Sequence, residues 1–229
     1  MISTEEMIGF QMFREASLQY ISEPEFETLE KAAAHLSFKK GETILKQGAP
    51  PNHIVFLEKG VVKFHYEDIR GKNLILTIVS APKILGGANL FYRDNNLFSL
   101  IAVEPCDVLI FDASVILGIM NSNARFSMML FTLASEMFKQ SVMNFISLAH
   151  KQKEGRIADV MLYLANEVYQ KESFTLCLTR KELAEFAGCS KENVILTLSK
   201  WQKEGIIRME GKCLKISDYQ RLTYISQIG

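Results

Sequence analysis

Apolar positions recur with two different periods along the chain. Between Lys40 and Asp112, short runs rich in Val, Ile and Phe (ETILKQG, HIVFLEKG, VVKFHYE, KNLILTIVS, LFSLIAVE and CDVLIFD) alternate with Gly41, Gly48, Gly60, Gly71, Pro82, Gly86 and Pro105. Runs of this length between turn residues predict the strands of an all-β sandwich or barrel, here read as a β-roll. Ahead of it, EPEFETLEKAAAHL sets Phe26, Leu29, Ala33 and Leu36 at helical spacing behind Pro24, which predicts a short helix reaching about Leu36.

The period changes after residue 123. From Ala124 to His150 there is no Gly or Pro, and Phe126, Leu130, Leu133 and Met137 step by four, three and four. That spacing predicts one long helix with a dimer seam, which Gln140 and Asn144 continue as polar groups able to fix register across a two-fold axis. The alternative to a seam is a single amphipathic helix lying on its own β-domain with a second stripe, Phe138, Val142 and Phe145, buried there; the two are compatible, since the helix has apolar residues on more than one side. KQKEG then reads as a polar hinge before a helix from Arg156 to Tyr169, in which Ile157, Val160, Met161 and Leu164 face a core.

The most informative segment is LTRKELAEFAGCSKENVILTLSKWQKEGII. Thr179 with Glu182 three residues on is a capping box that starts a helix through Phe186. Gly188 supplies a left-handed turn, and Ser190 caps a second helix to about Lys203 with Val194, Leu198 and Trp201 buried. Two short apolar strands around Glu210, Gly211 and Lys212 complete a winged helix-turn-helix. Such a second helix fits the DNA major groove and presents its N-terminal side chains to base edges. The residues expected to meet DNA are Ser190, Lys191, Glu192, Asn193, Leu196 and Lys200, with Thr179, Arg180 and Lys181 placed toward phosphates. The predicted fold class is therefore α+β: a β-roll sensor domain over 1–123, a dimerisation helix and hinge over 124–150, and a DNA-binding domain over 151–229.

Charge sharpens this division slightly. The chain of 229 residues is neutral overall, but residues 1–150 carry 13 Lys and Arg against 16 Asp and Glu, net −3, and residues 151–229 carry 13 against 10, net +3. The basic part is the one expected to touch DNA. No run of about 18 apolar residues and no signal-peptide pattern occurs, so a cytoplasmic protein without membrane association is expected. Cys106, Cys177, Cys189 and Cys213 form no C-x-x-C pair, which argues against an iron–sulfur cluster, a zinc clip or a disulfide framework. No metal site is expected.

At GETILKQG, FLEKGVVKF, GRIADVMLYLANE, LTRKELAEFAGCSKENV and the EGII wing entry, the sequence resembles the family of the cyclic-AMP receptor protein and the fumarate and nitrate reduction regulator, over nearly its whole length. The resemblance implies a cupin-like, cyclic-nucleotide-binding-like jelly roll and a homodimer whose recognition helices enter successive major grooves of a pseudo-palindromic operator. It also implies RNA polymerase as a partner.

The chain departs from the family at two places. The position four after Glu192 is Leu196 where members often carry Arg, so a contact to a thymine methyl becomes the substitute on offer. The family's ribose-binding Gly-Glu pair reads Gly86-Gly87, and NNLFSLIAV lacks the Arg that neutralises a cyclic phosphate. A buried phosphate without a cation is costly, which argues against cyclic AMP. Arg93 reads as a solvated loop residue. By the resemblance, any effector would lie among Gly86, Gly87, Asn89, Leu97, Ser99 and Ser141, a small and apolar lining. Haem stays open as a cofactor, with His65 and His150 the first candidate ligands among His35, His53, His65 and His150.

Two further readings compete with an effector-responsive regulator. One keeps DNA binding but makes the β-roll a ligand-free scaffold. The other is an enzyme on the β-roll, which needs clustered ligands or a nucleophile motif such as G-x-S-x-G; neither occurs in the sequence.

Overall fold

The computed structural model describes residues 11, 13–15, 17–86 and 95–229. They fall into two compact units: Met1–Val62 with Ser80–Lys139, and Lys63–Val79 with Gln140–Gly229.

In the first unit, helix α1 (Glu23–Ala32) starts at Ser22, whose N–H and hydroxyl donate to the Glu25 carboxylate at 2.7 and 2.8 Å. The helix stops four residues earlier than the apolar spacing suggests. Ala33–Phe38 instead forms strand β1, paired antiparallel with β8 (Cys106–Asp112) over six residues, and this leaves Leu36 46% exposed. Six ladder positions outweigh a weak helical pattern in an alanine-rich segment.

The predicted apolar runs become β2 (Thr43–Leu45), β3 (His53–Lys59), β4 (Val61–Glu67), β5 (Asn73–Ser80), β7 (Ser99–Ala102) and β8. Strand β6 (Lys83–Leu85), like β1, was not legible as a separate run. One sheet has the order β1-β8-β3-β6. Ile54 and Phe56 of β3, with Leu109 and Phe111 of β8, meet Phe13, Phe26 and Leu29 in the core. Phe13 and Phe56 lie 4.5 Å apart between ring centroids, close enough for a favourable aromatic contact. Gly60, at φ +99°, sits where an added Cβ would approach the Pro105 carbonyl oxygen to 2.5 Å. Both backbone and space therefore require glycine.

Helix α2 (Ala113–Ser122), capped by the Asp112 carboxylate on the Ser114 N–H at 2.7 Å, leads into α3 (Ala124–His150), the predicted long helix.

In the second unit, Gln152 caps α4 (Lys153–Tyr163), which continues as a π-helical turn through Val168. KQKEG is therefore only partly a break, since Lys153, Glu154 and Gly155 form the first helical turn. Gly155 permits this because a Cβ there would stand 2.7 Å from the backbone of Gly229. Helix α5 (Arg180–Ala187), Gly188 in the left-handed region (φ 58°, ψ 40°) and helix α6 (Lys191–Lys203) follow. The wing strands β10 (Ile207–Glu210) and β11 (Cys213–Ile216) pair antiparallel, and β9 (Ser173–Thr175) adds a third strand that the sequence did not announce. Helix α7 (Tyr219–Ile228) packs on α4.

The β4–β5 hairpin belongs to this second unit between Lys63 and Val79. Lys63 Nζ lies 2.7 Å from Glu182 Oε1, both side chains being mostly buried. Tyr163 donates its hydroxyl hydrogen bond to the Ile78 carbonyl at 2.7 Å. Burial alone would raise the Glu182 carboxyl, but hydrogen bonds from Lys63 and the Thr179 N–H outweigh it, and the group titrates below the usual carboxylate range. A carboxyl held lower in the folded state stabilises above its unfolded pKa, and that contribution is lost as pH falls through the folded value. Lys63→Met should accordingly destabilise the second unit by about 3 kcal/mol near neutral pH, because it strands a buried carboxylate. The loss should shrink as pH falls far enough to protonate Glu182, because a neutral carboxyl no longer needs the ammonium beside it; a pH series of thermal melts reads both effects, and an unchanged melt at pH 7 contradicts the pairing.

Candidate nucleic-acid interface

The interface is built from two helix starts and one exposed helix face. Thr179 Oγ1 accepts from the Glu182 N–H at 3.2 Å, while Glu182 Oε2 accepts from the Thr179 N–H at 2.7 Å, closing the expected capping box. Ser190 Oγ accepts from the Asn193 N–H at 3.2 Å and starts α6. Both hydroxyls are therefore engaged in capping. Val194, Thr197, Leu198 and Trp201 are buried, and α6 packs through them against α4, α5 and β10.

Burying that stripe turns the opposite one to solvent. Glu192, Leu196, Ser199 and Lys203 step by four, three and four along the exposed face, with Lys191 and Ile195 at its edge. Ile195, Ser199 and Lys203 were missed by reasoning that stayed near the helix N-terminus. The signal was present, since they are the helical complement of Val194, Leu198 and Trp201. The Glu192 carboxyl is held below the usual range by hydrogen bonds from its own backbone N–H and the Ser190 hydroxyl, so it is an anionic acceptor at neutral pH.

Other expected DNA residues also have partners within the protein. Asn193 Oδ1 accepts from Lys153 Nζ at 3.3 Å, and Lys200 Nζ lies 3.0 Å from Glu154 Oε2. Arg180 Nη2 stands 3.2 Å from Met209 Sδ of the wing, and burial pulls its guanidinium below the ordinary value. Lys181 is exposed beside Glu185 at 3.6 Å.

The long helix shows a rearrangement of the two predicted stripes. Phe126 lies in the core of the first unit and Leu130 packs against it. Leu133 and Met137 are half-buried, and Gln140 donates to Asn144 at 3.1 Å. Asn144 Nδ2 donates to the Leu76 carbonyl at 2.9 Å, within its own chain. The exposed stripe is instead Met128, Phe131, Ser135, Phe138, Val142, Phe145 and Ala149, stepping by three and four throughout. Phe131, Phe138 and Phe145 are 66%, 70% and 69% exposed. The stripe expected to rest on the β-domain thus faces solvent, and the other stripe, from Leu130 to Asn144, is half-buried. Phe126 and Asn144 set the helix rotation through contacts distant in sequence.

Of the suggested effector residues, Gly86, Leu97 and Ser99 belong to the first unit and Ser141 to the second. Gly86, at φ +90°, closes on the His53 carbonyl; Ser99 Oγ accepts the Gln47 N–H at 2.9 Å; Leu97 is exposed. Ser141 lies on α3, and Gly87, Asn89 and Arg93 lie outside the described residues. A groove of about 590 Å³ in the first unit is lined by Tyr20, Arg125, Met128 and Leu133 among others, and one of about 350 Å³ in the second by Arg156, Asp159 and Tyr163 among others. Neither contains the suggested residues. Among the described residues no group of three or more His, Cys, Asp or Glu lies together as a metal ion would need. His65 is half-buried on β4, its imidazole lowered by burial and then by Lys63, and His150 is exposed at the end of α3. No described helix is long and apolar enough to cross a membrane.

Comparison with known proteins agrees with this geometry. Residues 35–123 match the cyclic nucleotide-binding domain and residues 155–225 the Crp-like helix-turn-helix domain. A CRP-like cAMP-activated global transcriptional regulator of Mycobacterium tuberculosis is 25% identical over 198 residues, covering 85% of this chain and 88% of that protein. Among solved structures, FixK2 from Bradyrhizobium japonicum superposes with a TM-score of 0.77 at 18% identity, covering 84% of this chain and 96% of that one. The c-di-GMP responsive global regulator CLP from Xanthomonas campestris gives 0.71 at 19%, covering 84% and 98%. With a sheet-built N-terminal module, a long helix and a winged helix-turn-helix in this order, the chain belongs to the family of the cyclic-AMP receptor protein and the fumarate and nitrate reduction regulator, DNA-binding transcription regulators.

Proposed function

We propose that the chain acts as a homodimeric, sequence-specific regulator whose affinity for a pseudo-palindromic operator is set by an effector other than cyclic AMP. The observation that carries the DNA reading is the two-sided α6: a tryptophan-anchored stripe inside and Glu192, Leu196, Ser199 and Lys203 outside. Glu192 offers a carboxylate acceptor to a cytosine amino group, while Lys191 and Lys181 are exposed cations for phosphates. Arg180, half-buried against the wing, supports that wing as well as reaching toward the backbone. The protein works without catalysis, through binding alone.

Dimerisation is assigned to the exposed stripe of α3 rather than to the one expected from the sequence. Seven positions at three-four spacing, three of them solvent-facing phenylalanines, form a heptad seam that a second copy buries. A second copy paired along this stripe supplies the second α6 that a two-fold-symmetric operator calls for.

Support for an effector other than cyclic AMP comes from the absence of an arginine between residues 95 and 103, the stretch of the first unit where the phosphate would be met. The M. tuberculosis relative is described as cAMP-activated and the CLP structure as c-di-GMP responsive, so similarity of this kind does not carry one ligand with it. A ligand-free scaffold, with control through a protein partner or the amount of protein, is the second reading.

Three outcomes follow. Phe138→Glu should give the native mass of a single chain and lower operator affinity by roughly tenfold or more, whereas Asn144→Ala should leave the dimer intact; dimers from both variants contradict the seam. Glu192→Ala should relax base preference at one position per half-site by about 1 to 3 kcal/mol, and Arg180→Ala should weaken binding to all sequences and reduce the salt slope by about 1. Saturating cyclic AMP should leave operator affinity unchanged in a fluorescence-anisotropy titration, and a clear increase overturns the ligand assignment.

A further inference from the structure

The base-facing side of α6 carries an apolar step that the fold itself does not use. Ile195 and Leu196 are 42% and 67% exposed, midway along the helix. Glu192 stands one turn before Leu196 and Ser199 one turn after it, and the buried stripe is complete without either residue. A lone exposed leucine on a helix is ordinary. An adjacent Ile-Leu pair, Leu196 on the outward face and Ile195 at its edge, is a different matter on a helix assigned to the groove, because every group there must replace water by contact with DNA.

Neither side chain has a donor or acceptor, so neither can read a base edge by hydrogen bonding. The major groove displays one apolar feature, the C5-methyl group of thymine. Successive residues on an α-helix are turned by about 100° and offset by 1.5 Å, so the two side chains reach different bases rather than sharing one. Building on the assignment of α6 as the DNA reader, we propose that Ile195 and Leu196 are specificity-determining residues that recognise thymine methyls. Leu196 contacts one at the centre of each half-site and Ile195 contacts a neighbouring one. Glu192 and Ser199 supply the polar contacts on either side. Base choice at these positions then comes from apolar burial, and the site discriminates thymine from cytosine by a methyl group as well as by exocyclic atoms.

Replacing thymine by uracil removes that methyl and leaves the base-pairing face and the O4 acceptor unchanged. Full-length protein is first used to enrich bound duplexes from a random library. The enriched operator is then made with deoxyuridine at each thymidine in turn. Wild-type protein should lose about 4-fold in affinity at one or two positions of each half-site, the factor matching ~0.8 kcal/mol for one buried methyl-sized group, and nothing elsewhere. Leu196→Ala should erase the penalty at the central position and Ile195→Ala at its neighbour. Both substitutions are at exposed positions, so unchanged thermal midpoints identify folded variants. Equal affinity for the thymine and uracil operators at every position overturns the inference while leaving DNA binding standing, as does a penalty that survives in both variants. A library that yields no enriched sequence overturns the DNA-binding reading itself, and this inference with it.

Discussion

Burial of Trp201 orients the second unit's working surface. The indole is fully buried, together with Val194 and Leu198, in the seat formed by α4, α5 and β10. Its Nε1 has no hydrogen-bond partner among the described residues. An indole buries about 150–250 Å², worth about 4–6 kcal/mol at ~25 cal/mol per Å², against about 1–3 kcal/mol for an orphaned N–H. Burial wins, and with it the rotation of α6 is determined. Everything that α6 offers to DNA follows from that rotation, because a helix with one buried stripe leaves only the opposite stripe free. Glu192, Leu196, Ser199 and Lys203 are outside because Trp201 is inside.

One capping box and two ties to the β4–β5 hairpin hold the helices that surround this seat. Glu182 serves both of its oxygens, one closing the Thr179 box and the other receiving Lys63 from the β4–β5 hairpin. The same carboxylate thus caps the start of a helix and ties a hairpin to it, so the hairpin and the helix-turn-helix share one electrostatic joint. Tyr163 adds a second tie through the Ile78 carbonyl. Within the second unit, the hairpin is thereby joined to the first turn of α5, where Arg180 and Lys181 sit.

The parts legible from sequence are those determined within one turn or one hairpin. Thr179 with Glu182, Gly188 and Ser190 specify a helix-turn-helix through contacts three or four residues apart, and each is found where its local chemistry puts it. The strand runs between glycines were legible for the same reason, except β1 and β6. Ala33–Phe38 takes its conformation from β8, more than sixty residues away, and no local pattern announces that pairing. The long helix shows the limit most clearly. Its length follows from an uninterrupted run without Gly or Pro, but two stripes of similar hydrophobicity compete for its inward face. Phe126 in the core and Asn144 on the Leu76 carbonyl decide between them through contacts that a period cannot encode. The contacts of Asn193 with Lys153 and of Lys200 with Glu154 were likewise illegible, since both partners come from α4 some forty residues away.

The account's central claim is that one outward face of α6, duplicated by pairing along α3, reads DNA. A hydroxyl-radical footprint of the full-length protein on its enriched operator tests this most directly. The account predicts two protected tracts on one face of the duplex, their centres separated by about one helical turn, roughly 10 base pairs. A single protected tract, or uniform protection without periodicity, would contradict it.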